Sequence, residues 1–315
     1  GEHSFGHRSK RPACRVTDAY RLIVFRNGYP AMFLPPLPLP LWESIIRVAL
    51  LEDLGTAGDI TTQSLLRPGQ SLQATFRARE SGVLAGLEGA RLAFAQLDPH
   101  SLFTPHMQDG ASVKPGDVLA TISAGAETVL AGERTALNLL SHLSGIASTT
   151  AQVVKAVEGT KARVCCTRKT LPGLRAVQKY AVRAGGGSNH RFRLDDAILI
   201  KDNHLALAGG DVVHALQAAR SHAGHLVSIE LEVDTLAQLE AALTCAIADA
   251  YLLDNMPPAT LRTAVEMIGG RAIAEASGGI TPTNAAQIAA TGVDILSLGW
   301  LTHSVKALDI GLDID

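Results

Sequence analysis

A group of five stands out among the nine basic side chains between positions 168 and 201 of a chain whose formal net charge is −2. The densest point is the segment CCTRKT, where the adjacent cations Arg168 and Lys169 stand between Thr167 and Thr170. The other members of the group are His190, Arg191 and Lys201. Cations gathered in a chain without an overall positive charge indicate a local anion site. The pattern therefore predicts that this region binds a polyanionic small molecule.

The segment SIELEVD places Glu230 and Glu232 two positions apart, so both side chains point to one face of a predicted strand. A parallel strand buried on both faces rarely keeps two inward carboxylates unless cations or a metal ion compensate their charge. Asp254 follows the next predicted strand. Carboxylate oxygens are ligands that Mg²⁺ prefers. The three residues therefore predict a Mg²⁺ site or a surface that faces a developing positive charge.

From residue 163 onward, short apolar strands alternate with helical segments, a pattern typical of a parallel α/β sheet. The predicted strands are Arg163–Cys166, Ala197–Ile200, Leu226–Val233, Ala250–Leu253, Ala272–Ala276 and Asp294–Leu298. The predicted helices include Asp211–His222, Thr235–Ala246, Pro258–Ile268 and Pro282–Ala290. Polar residues end or follow each strand, and in a parallel barrel these positions meet at the C-terminal rim, where active sites lie. We therefore favour a barrel over a doubly wound sheet.

The last two predicted strands are followed by glycines, in the segment Ser277–Gly278–Gly279 and at Gly299. Barrels commonly hold a phosphate group at these exits, on backbone N–H groups and a helix N-terminus. Gly-rich turns alone are weak signals, but these occur at the exits where such a site is expected. The pattern predicts a phosphate subsite.

The part of the chain before residue 126 shows a different pattern, with a helix and short strands separated by Gly and Pro. Apolar residues at helical spacing predict a helix over Leu41–Gly55. The following segment, Gly58–Leu65, is expected to be an ordered loop. Alternation of apolar and polar residues predicts a strand over Ser71–Glu80. We expect a small β-rich layer over residues 41–125.

A long helix is predicted over Ala126–Glu158, with a break at Gly145. Arg134, Asn138 and Ser141 recur at i, i+4 and i+7 and form one polar stripe on a face that is otherwise rich in Leu. A solvated face explains such a stripe. A surface that faces a ligand or a second subunit explains it equally well.

The composition is that of an ordinary globular chain, with 47% hydrophobic and 18% charged residues. A pI near 6.6 and few aromatic residues argue against a nucleic-acid partner. Prolines interrupt the longest uncharged run, between Arg26 and Glu43, so no membrane span is predicted. Four cysteines without metal-binding spacing predict reduced thiols in a cytoplasmic protein.

Several segments, taken together and in order, resemble the quinolinate phosphoribosyltransferase family, also called nicotinate-nucleotide pyrophosphorylase (carboxylating). The most specific blocks are TRKTLPGLR, AVRAGGGSNHR and LIKDNH, and EDLGTAGDITT resembles the N-terminal signature of the family. The resemblance runs from Leu41 to the C-terminus and does not cover residues 1–31. It implies an enzyme of NAD biosynthesis that joins quinolinate to 5-phosphoribosyl-1-pyrophosphate. The products are nicotinate mononucleotide, pyrophosphate and CO₂, and the cofactor is Mg²⁺.

The resemblance also implies the role of each matched residue. The implied ligands of the quinolinate carboxylates are Arg168, Lys169, His190 and Arg191. The implied ribose, pyrophosphate and Mg²⁺ ligands are Lys201, Glu232 and Asp254, which together with Lys169 are the catalytic residues. The other implied substrate-binding residues are Thr167, Ser277, Gly278, Gly279, Ser297 and Gly299, with the 5′-phosphate at Ser277–Gly279 and Gly299. The alignment leaves Glu230 open as an alternative to Glu232, which we favour.

The resemblance implies an N-terminal α+β open β-sandwich domain over residues 41–135 and an incomplete, TIM-like α/β barrel over residues 136–299. The tail, residues 300–315, returns to the first domain. Family members are homodimers or hexamers in which the arginine matching Arg134 crosses the subunit interface. Residues 1–40 are predicted to be an extension, with residues 1–31 poorly ordered and without function. Met32 is then an alternative start of the natural chain.

Three other readings remain open from the sequence. A Schiff-base aldolase would use Lys169 or Lys201 at a strand exit as a desolvated nucleophilic amine. A nicotinate phosphoribosyltransferase would have no second carboxylate to bind and would release no CO₂. A catalytically silent phosphate-binding barrel would leave the Glu230 and Glu232 pair unexplained.

Overall fold

The computed structural model describes residues 34–314. The predicted disorder of residues 1–31 lies outside the described residues. The elements before the barrel are helices α1 (Leu39–Leu54), α2 (Ile60–Leu65) and α3 (Leu87–Ala95), and strands β1 (Ser71–Ala78), β2 (Gly82–Val83), β3 (Leu102–Pro105), β4 (Ser112–Val113) and β5 (Val118–Gly125). They are followed by the 31-residue helix α4 (Ala126–Ala156).

The barrel elements follow α4. Its strands are β6 (Arg163–Cys165), β7 (Ile198–Ile200), β8 (Ile229–Val233), β9 (Ala250–Asp254), β10 (Ile273–Ser277) and β11 (Ile295–Ser297). Its helices are α5 (Arg175–Ala184), α6 (Asp202–Leu207), α7 (Val212–His222), α8 (Leu236–Leu243), α9 (Pro258–Ile268) and α10 (Ala285–Ala289). A 3₁₀ turn (Gly299–Thr302) and strand β12 (Ile310–Ile314) end the described chain.

The six barrel strands form one parallel sheet in the order β6-β11-β10-β9-β8-β7. Strands β6 and β7 are consecutive in the chain, yet they lie at opposite edges of the sheet and do not pair. The barrel is therefore incomplete, which confirms the predicted fold class. The loop between α5 and β7 follows the edge of β6, where Cys165 pairs with Ser188.

The N-terminal layer is a separate antiparallel sheet in the order β12-β1-β5-β3. Strand β12 pairs with β1 from Ile310 opposite Ala78 to Ile314 opposite Ala74. Helix α4 packs its buried face against this layer, and the two share a core with Trp42 and Phe94. A second apolar core fills the barrel and its helices. Helix α4 contributes residues to both cores. It therefore fixes the position of the barrel relative to the N-terminal antiparallel sheet.

Two details of the predicted secondary structure are wrong. The segment Gly58–Leu65 contains helix α2 rather than a loop, because the Asp59 carboxylate accepts the N–H groups of Thr61 and Thr62, each at 3.0 Å, and caps a short helix. Helix α4 continues through Gly145 without a break. A Cβ atom there would lie 2.2 Å from the carbonyl oxygen of Lys306, so this glycine permits a close chain crossing.

Within residues 34–314, every helix is too short or too polar to cross a membrane. The three cysteines in this part of the chain, Cys165, Cys166 and Cys245, are free thiols. Burial raises the pKa of the Cys165 and Cys166 thiols, so both are held in the uncharged form.

Candidate active site

The register of the barrel strands aligns the polar residues at their C-terminal ends. Ser277 lies opposite Asp254 on one side and opposite Ser297 on the other. Ser297 in turn lies opposite Cys165, which precedes Thr167 by two positions. Since parallel strands end at the same edge, these residues share one rim of the barrel.

Arg168 follows β6 and Arg191 lies in the loop after α5, yet the charge of Arg168 reaches Arg191. Burial lowers the pKa of Arg191, and the positive charge of Arg168 lowers it further. Arg191 donates from Nη1 to the carbonyl oxygen of Ala197 at 2.6 Å. The Nε atoms of both arginines are buried, and neither has a hydrogen-bond partner within residues 34–314. Two adjacent cations with buried unpaired donors form a site that an anion would complete.

His190 is held by protein groups at both ring nitrogens. Nε2 lies 2.8 Å from an oxygen of Glu230, and Nδ1 accepts the backbone N–H of Arg191 at 2.8 Å. Burial lowers the pKa of His190, but the hydrogen bond to Glu230 and the charges of Glu230 and Glu275 outweigh burial and raise it. The geometry nevertheless assigns the neutral tautomer with the proton on Nε2, because a second proton on Nδ1 would displace the Arg191 N–H group.

Lys201, Glu232 and Asp254 form a second charged group at the rim. The ammonium of Lys201 lies 3.8 Å from an oxygen of Glu232. Burial raises the pKa of Glu232; Lys201 opposes this shift, and the charges of Asp254 and other nearby aspartates add to it. Asp254 accepts a hydrogen bond from the amide of Asn255 at 2.6 Å. The carboxylates of Glu232 and Asp254 are neighbours that repel each other. Their oxygens are hard ligands of the kind that Mg²⁺ prefers, so this pair of residues fits the ion.

The exits of β6 and β11 meet at Lys169. Its backbone N–H donates to Oγ1 of Thr167 at 3.0 Å, and its carbonyl accepts from Thr302 at 2.7 Å. The Lys169 side chain crosses directly over Gly299, where a Cβ atom would lie 2.6 Å from Cδ of Lys169. At the neighbouring exit, Gly278 has φ of +90° and leaves no room for a Cβ atom beside Asn255. The turn at Gly278 therefore requires glycine, whereas a side chain at position 299 would displace Lys169.

Arg134 differs from the other predicted ligands. It is exposed on α4, and within residues 34–314 no hydrogen bond or ion pair links it to the rim. The same face of α4 borders a groove of about 630 Å³, which Asn138 and His142 line together with the loop over residues 171–174. This loop directly follows the TRKT segment.

Sequence reasoning missed two residues of the site. Lys179, on α5, is fully buried, and its ammonium donates to the carbonyls of His190 and Arg191 at 2.6 and 3.1 Å. Glu275, on β10, is also buried, and one of its oxygens lies 3.9 Å from Nε2 of His190. A carboxylate inside the apolar strand IAEAS is a signal that could have identified Glu275.

Comparison with known proteins identifies the family. A family model described as quinolinate phosphoribosyl transferase, C-terminal domain, matches residues 146–313, and the model of the N-terminal domain matches residues 59–144. The chain belongs to the quinolinate phosphoribosyltransferase family. The resemblance inferred from the TRKT, GGGSNHR and KDNH blocks is confirmed.

Curated relatives support the same family over most of their length. A nicotinate-nucleotide pyrophosphorylase (carboxylating) of Mycobacterium leprae is 49% identical over 275 residues, which are 85% of this chain and 95% of the relative. A probable enzyme of the same name from Bacillus subtilis is 45% identical over 272 residues, which are 86% and 93%.

Solved structures of the family have the same fold. The nicotinate-nucleotide pyrophosphorylase of Ehrlichia chaffeensis superposes with a TM-score of 0.82 at 40% identity, over 86% of this chain and 98% of that one. The Streptococcus pyogenes structure named NadC gives 0.84 at 38% identity, over 89% and 99%. These likenesses agree with the predicted sandwich and incomplete barrel, as do the four-stranded antiparallel sheet and the six-stranded parallel sheet.

Proposed function

We propose that this chain catalyses phosphoribosyl transfer from 5-phosphoribosyl-1-pyrophosphate to quinolinate, with decarboxylation, in NAD biosynthesis. The products are nicotinate mononucleotide, pyrophosphate and CO₂. The reaction is the one named for the family. The observation that supports this rim of the barrel as its site is the pair formed by Arg168 and Arg191. Each arginine has a buried Nε donor without a partner among the described residues, and a dicarboxylate supplies the acceptors that they need.

The first chemical step needs positioning rather than a general base. The pyridine nitrogen of quinolinate carries no proton when it attacks C1 of the ribose, and the bond from C1 to pyrophosphate breaks through an oxocarbenium-like state. Arg168, Lys169 and Arg191 orient the two ring carboxylates, and Lys169, together with Lys201, also faces the negative charge that develops on the leaving group. Glu232 lies 3.8 Å from Lys201 and presents a carboxylate to the positively charged sugar.

The second step follows from the charge of the product. Once the ring nitrogen is quaternary, the carboxylate adjacent to it leaves as CO₂, and the electron pair that remains on the ring carbon is stabilised by the positive nitrogen. A proton then takes the place of the carboxylate. Cations that hold the other carboxylate keep the ring in place during this step.

The cofactor that we propose is Mg²⁺, held by Glu232 and Asp254 together with pyrophosphate oxygens. Glu232 is favoured over Glu230 because Glu230 is bound to His190, whereas Glu232 lies in the group with Lys201 and Asp254. When bound, the ion supplies positive charge that offsets the charge of the departing pyrophosphate. The carboxylates of this chain hold it at the rim.

We further propose that the protein acts as a homodimer, with hexamers as the larger form, in which Arg134 completes the site of the partner subunit. Exposed apolar side chains of α1, Val48 and Leu51, lie at or next to the groove beside Arg134's helix. Burying such a patch favours self-association. Arg134 points to solvent in the single chain, so a role in catalysis requires a second copy.

The aldolase reading is not favoured. A Schiff-base lysine is activated by desolvation or by a second cation, whereas Lys169 and Lys201 are exposed and Lys201 faces Glu232. The test incubates the protein with 5-phosphoribosyl-1-pyrophosphate and either quinolinate or nicotinate, and measures nicotinate mononucleotide. Product from quinolinate supports the proposal. Product from nicotinate alone, or borohydride trapping of a carbonyl substrate on Lys169 or Lys201, would contradict it.

A further inference from the structure

Glu275, on β10, is buried beside His190 and Glu230. It is 3% exposed, and one of its oxygens lies 3.9 Å from Nε2 of His190. The ligand atoms of Glu275, Glu230 and His190 all lie within 4.8 Å of one another. Two buried carboxylates this close together cannot both be ionised without a large cost, so one of them carries a proton.

The geometry points to Glu275 as the protonated partner. Glu230 already faces a donor, Nε2 of His190 at 2.8 Å, which favours its charged form. Oε1 of Glu275 has no donor within residues 34–314, so the charged form of this carboxyl lacks a hydrogen bond at that oxygen. Burial, followed by the charge of Glu230, raises the pKa of Glu275 to about 8, in agreement with the geometry.

These side chains form a series that ends at a substrate cation. The ligand atoms of Glu275 and Glu230 lie within 4.8 Å of each other, so a protonated Glu275 faces Glu230. Glu230 accepts from Nε2 of His190, and Nδ1 of His190 accepts the N–H of Arg191. Lys179 binds the carbonyls of His190 and Arg191 from the other side. The backbone that carries the Arg191 guanidinium is therefore fixed from the barrel interior.

We propose that Glu275 is a positioning residue: as a neutral carboxylic acid it donates a hydrogen bond to Glu230, and through His190 it fixes Arg191 for the substrate carboxylate. This inference rests on the proposed function, since the anion held by Arg191 is quinolinate. A metal ion bound by the three side chains is the competing explanation. The direct 2.8 Å contact between His190 and Glu230 favours a shared proton.

The kinetic test compares two isosteric variants. Glu275→Gln keeps a neutral donor to Glu230 and is expected to leave the quinolinate KM within about twofold of the native value at pH 7. Glu275→Met removes the donor and is expected to raise the quinolinate KM about tenfold, with little change in the KM for 5-phosphoribosyl-1-pyrophosphate. The matched control is Thr291→Val, which removes a buried hydrogen bond to Ile288 elsewhere in the barrel and should change neither KM.

Equal effects of Glu275→Gln and Glu275→Met, or equal rises in both KM values, would indicate a merely structural residue and overturn the proposal. If Glu275→Met does not fold, the pH dependence of the quinolinate KM of the native protein and of Glu275→Gln tests the proposal instead. The quinolinate KM of the native protein should rise above about pH 8, whereas that of Glu275→Gln should stay flat there. Identical profiles would contradict the inference. So would one tightly bound transition-metal ion per chain in the purified protein, measured by elemental analysis.

A stability measurement is independent of activity, so it separates failure of this inference from failure of the proposed function. The native state keeps a proton on Glu275 that the unfolded chain, with an ordinary pKa of 4.5, has released. Its contribution to stability is complete below pH 4.5 and is lost as pH rises through about 8. The melting temperature of the native protein should therefore fall more steeply over this range than that of Glu275→Gln; equal slopes would overturn the proposal.

The titratable groups facing or lying behind Glu275 are Glu230 on β8, His190 after α5, Cys165 on β6 and, behind His190, Lys179 on α5.

Discussion

The charge of Arg168 acts on the guanidinium of Arg191, although one residue follows β6 and the other lies in the loop after α5. The charge of Arg168 contributes to the lowered pKa of Arg191, and each keeps a buried Nε atom without a partner in the described part of the chain. Two like charges stay together in a partly buried site when an anion between them offsets their repulsion. This relationship is the basis of the first prediction.

Replacing Arg168 with Met should raise the quinolinate KM and lower kcat/KM by about 100- to 1,000-fold, equivalent to about 2.7–4 kcal/mol for the loss of one buried charged donor. Steady-state kinetics with each substrate varied in turn measure the effect. The control is Arg193→Met, because Arg193 is exposed in the loop that carries Arg191 and, among the described residues, forms ion pairs only with Asp195 and Asp196. Equal losses in both variants would contradict the role of Arg168.

The interface role of Arg134 predicts complementation between two inactive variants. Arg134→Ala and Lys169→Met should each be nearly inactive alone. After unfolding and refolding together in equal amounts, the mixture should regain about a quarter of native activity, because half of the dimers are hybrids and each hybrid has one intact site. No recovery, in a sample shown by native mass spectrometry to contain hybrids, would place Arg134 in the site of its own chain or outside the site.

The close approach of Lys169 to Gly299 predicts a steric effect on the sugar phosphate. Gly299→Ala places a methyl group 2.6 Å from Cδ of Lys169, so Lys169 must move. The expected result is a loss of about 10- to 100-fold in kcat/KM for 5-phosphoribosyl-1-pyrophosphate. Gly125→Ala is the control, because its new Cβ atom meets only Oγ1 of Thr128, at 3.8 Å. Native kinetics in Gly299→Ala would show that Lys169 does not contact this substrate.

Buried Lys179 predicts a combined loss of stability and binding. Lys179→Met leaves the carbonyls of His190 and Arg191 without their donor, at a cost of about 1–3 kcal/mol for the buried groups. The melting temperature should fall, and the quinolinate KM of the remaining folded enzyme should rise more than the KM of the second substrate. Lys155→Met, at an exposed position on α4, is the control. A fall in stability with unchanged KM values would limit Lys179 to a structural role.

The fold and most of the rim could be predicted because they depend on local patterns. Strand alternation, strand exits and Gly-rich turns are visible in short segments, and parallel strands bring their exits to one rim whatever the details of packing. This is why Lys201, Asp254 and Ser277 could be placed before the structure was known.

The residues that were missed depend on contacts distant in sequence. Lys179 looks like one of several charged residues in an amphipathic helix, and nothing near it shows that the loop after α5 folds back over its ammonium. The proposed role of Glu275 depends on its proximity to Glu230, which lies on another strand. The break predicted at Gly145 was wrong because the reason for that glycine is a chain crossing by Lys306. The position of Arg134 in an assembly lies beyond the geometry of one chain.

The most direct test of the central claim measures CO₂ release from quinolinate labelled in the carboxylate adjacent to the ring nitrogen. With 5-phosphoribosyl-1-pyrophosphate present, we expect one CO₂ for each nicotinate mononucleotide formed. Almost no CO₂ should be released when the sugar phosphate is omitted or when Arg168 is replaced by Met. Release of CO₂ without the sugar phosphate, or the absence of release from folded native protein with both substrates and Mg²⁺, would contradict the central claim.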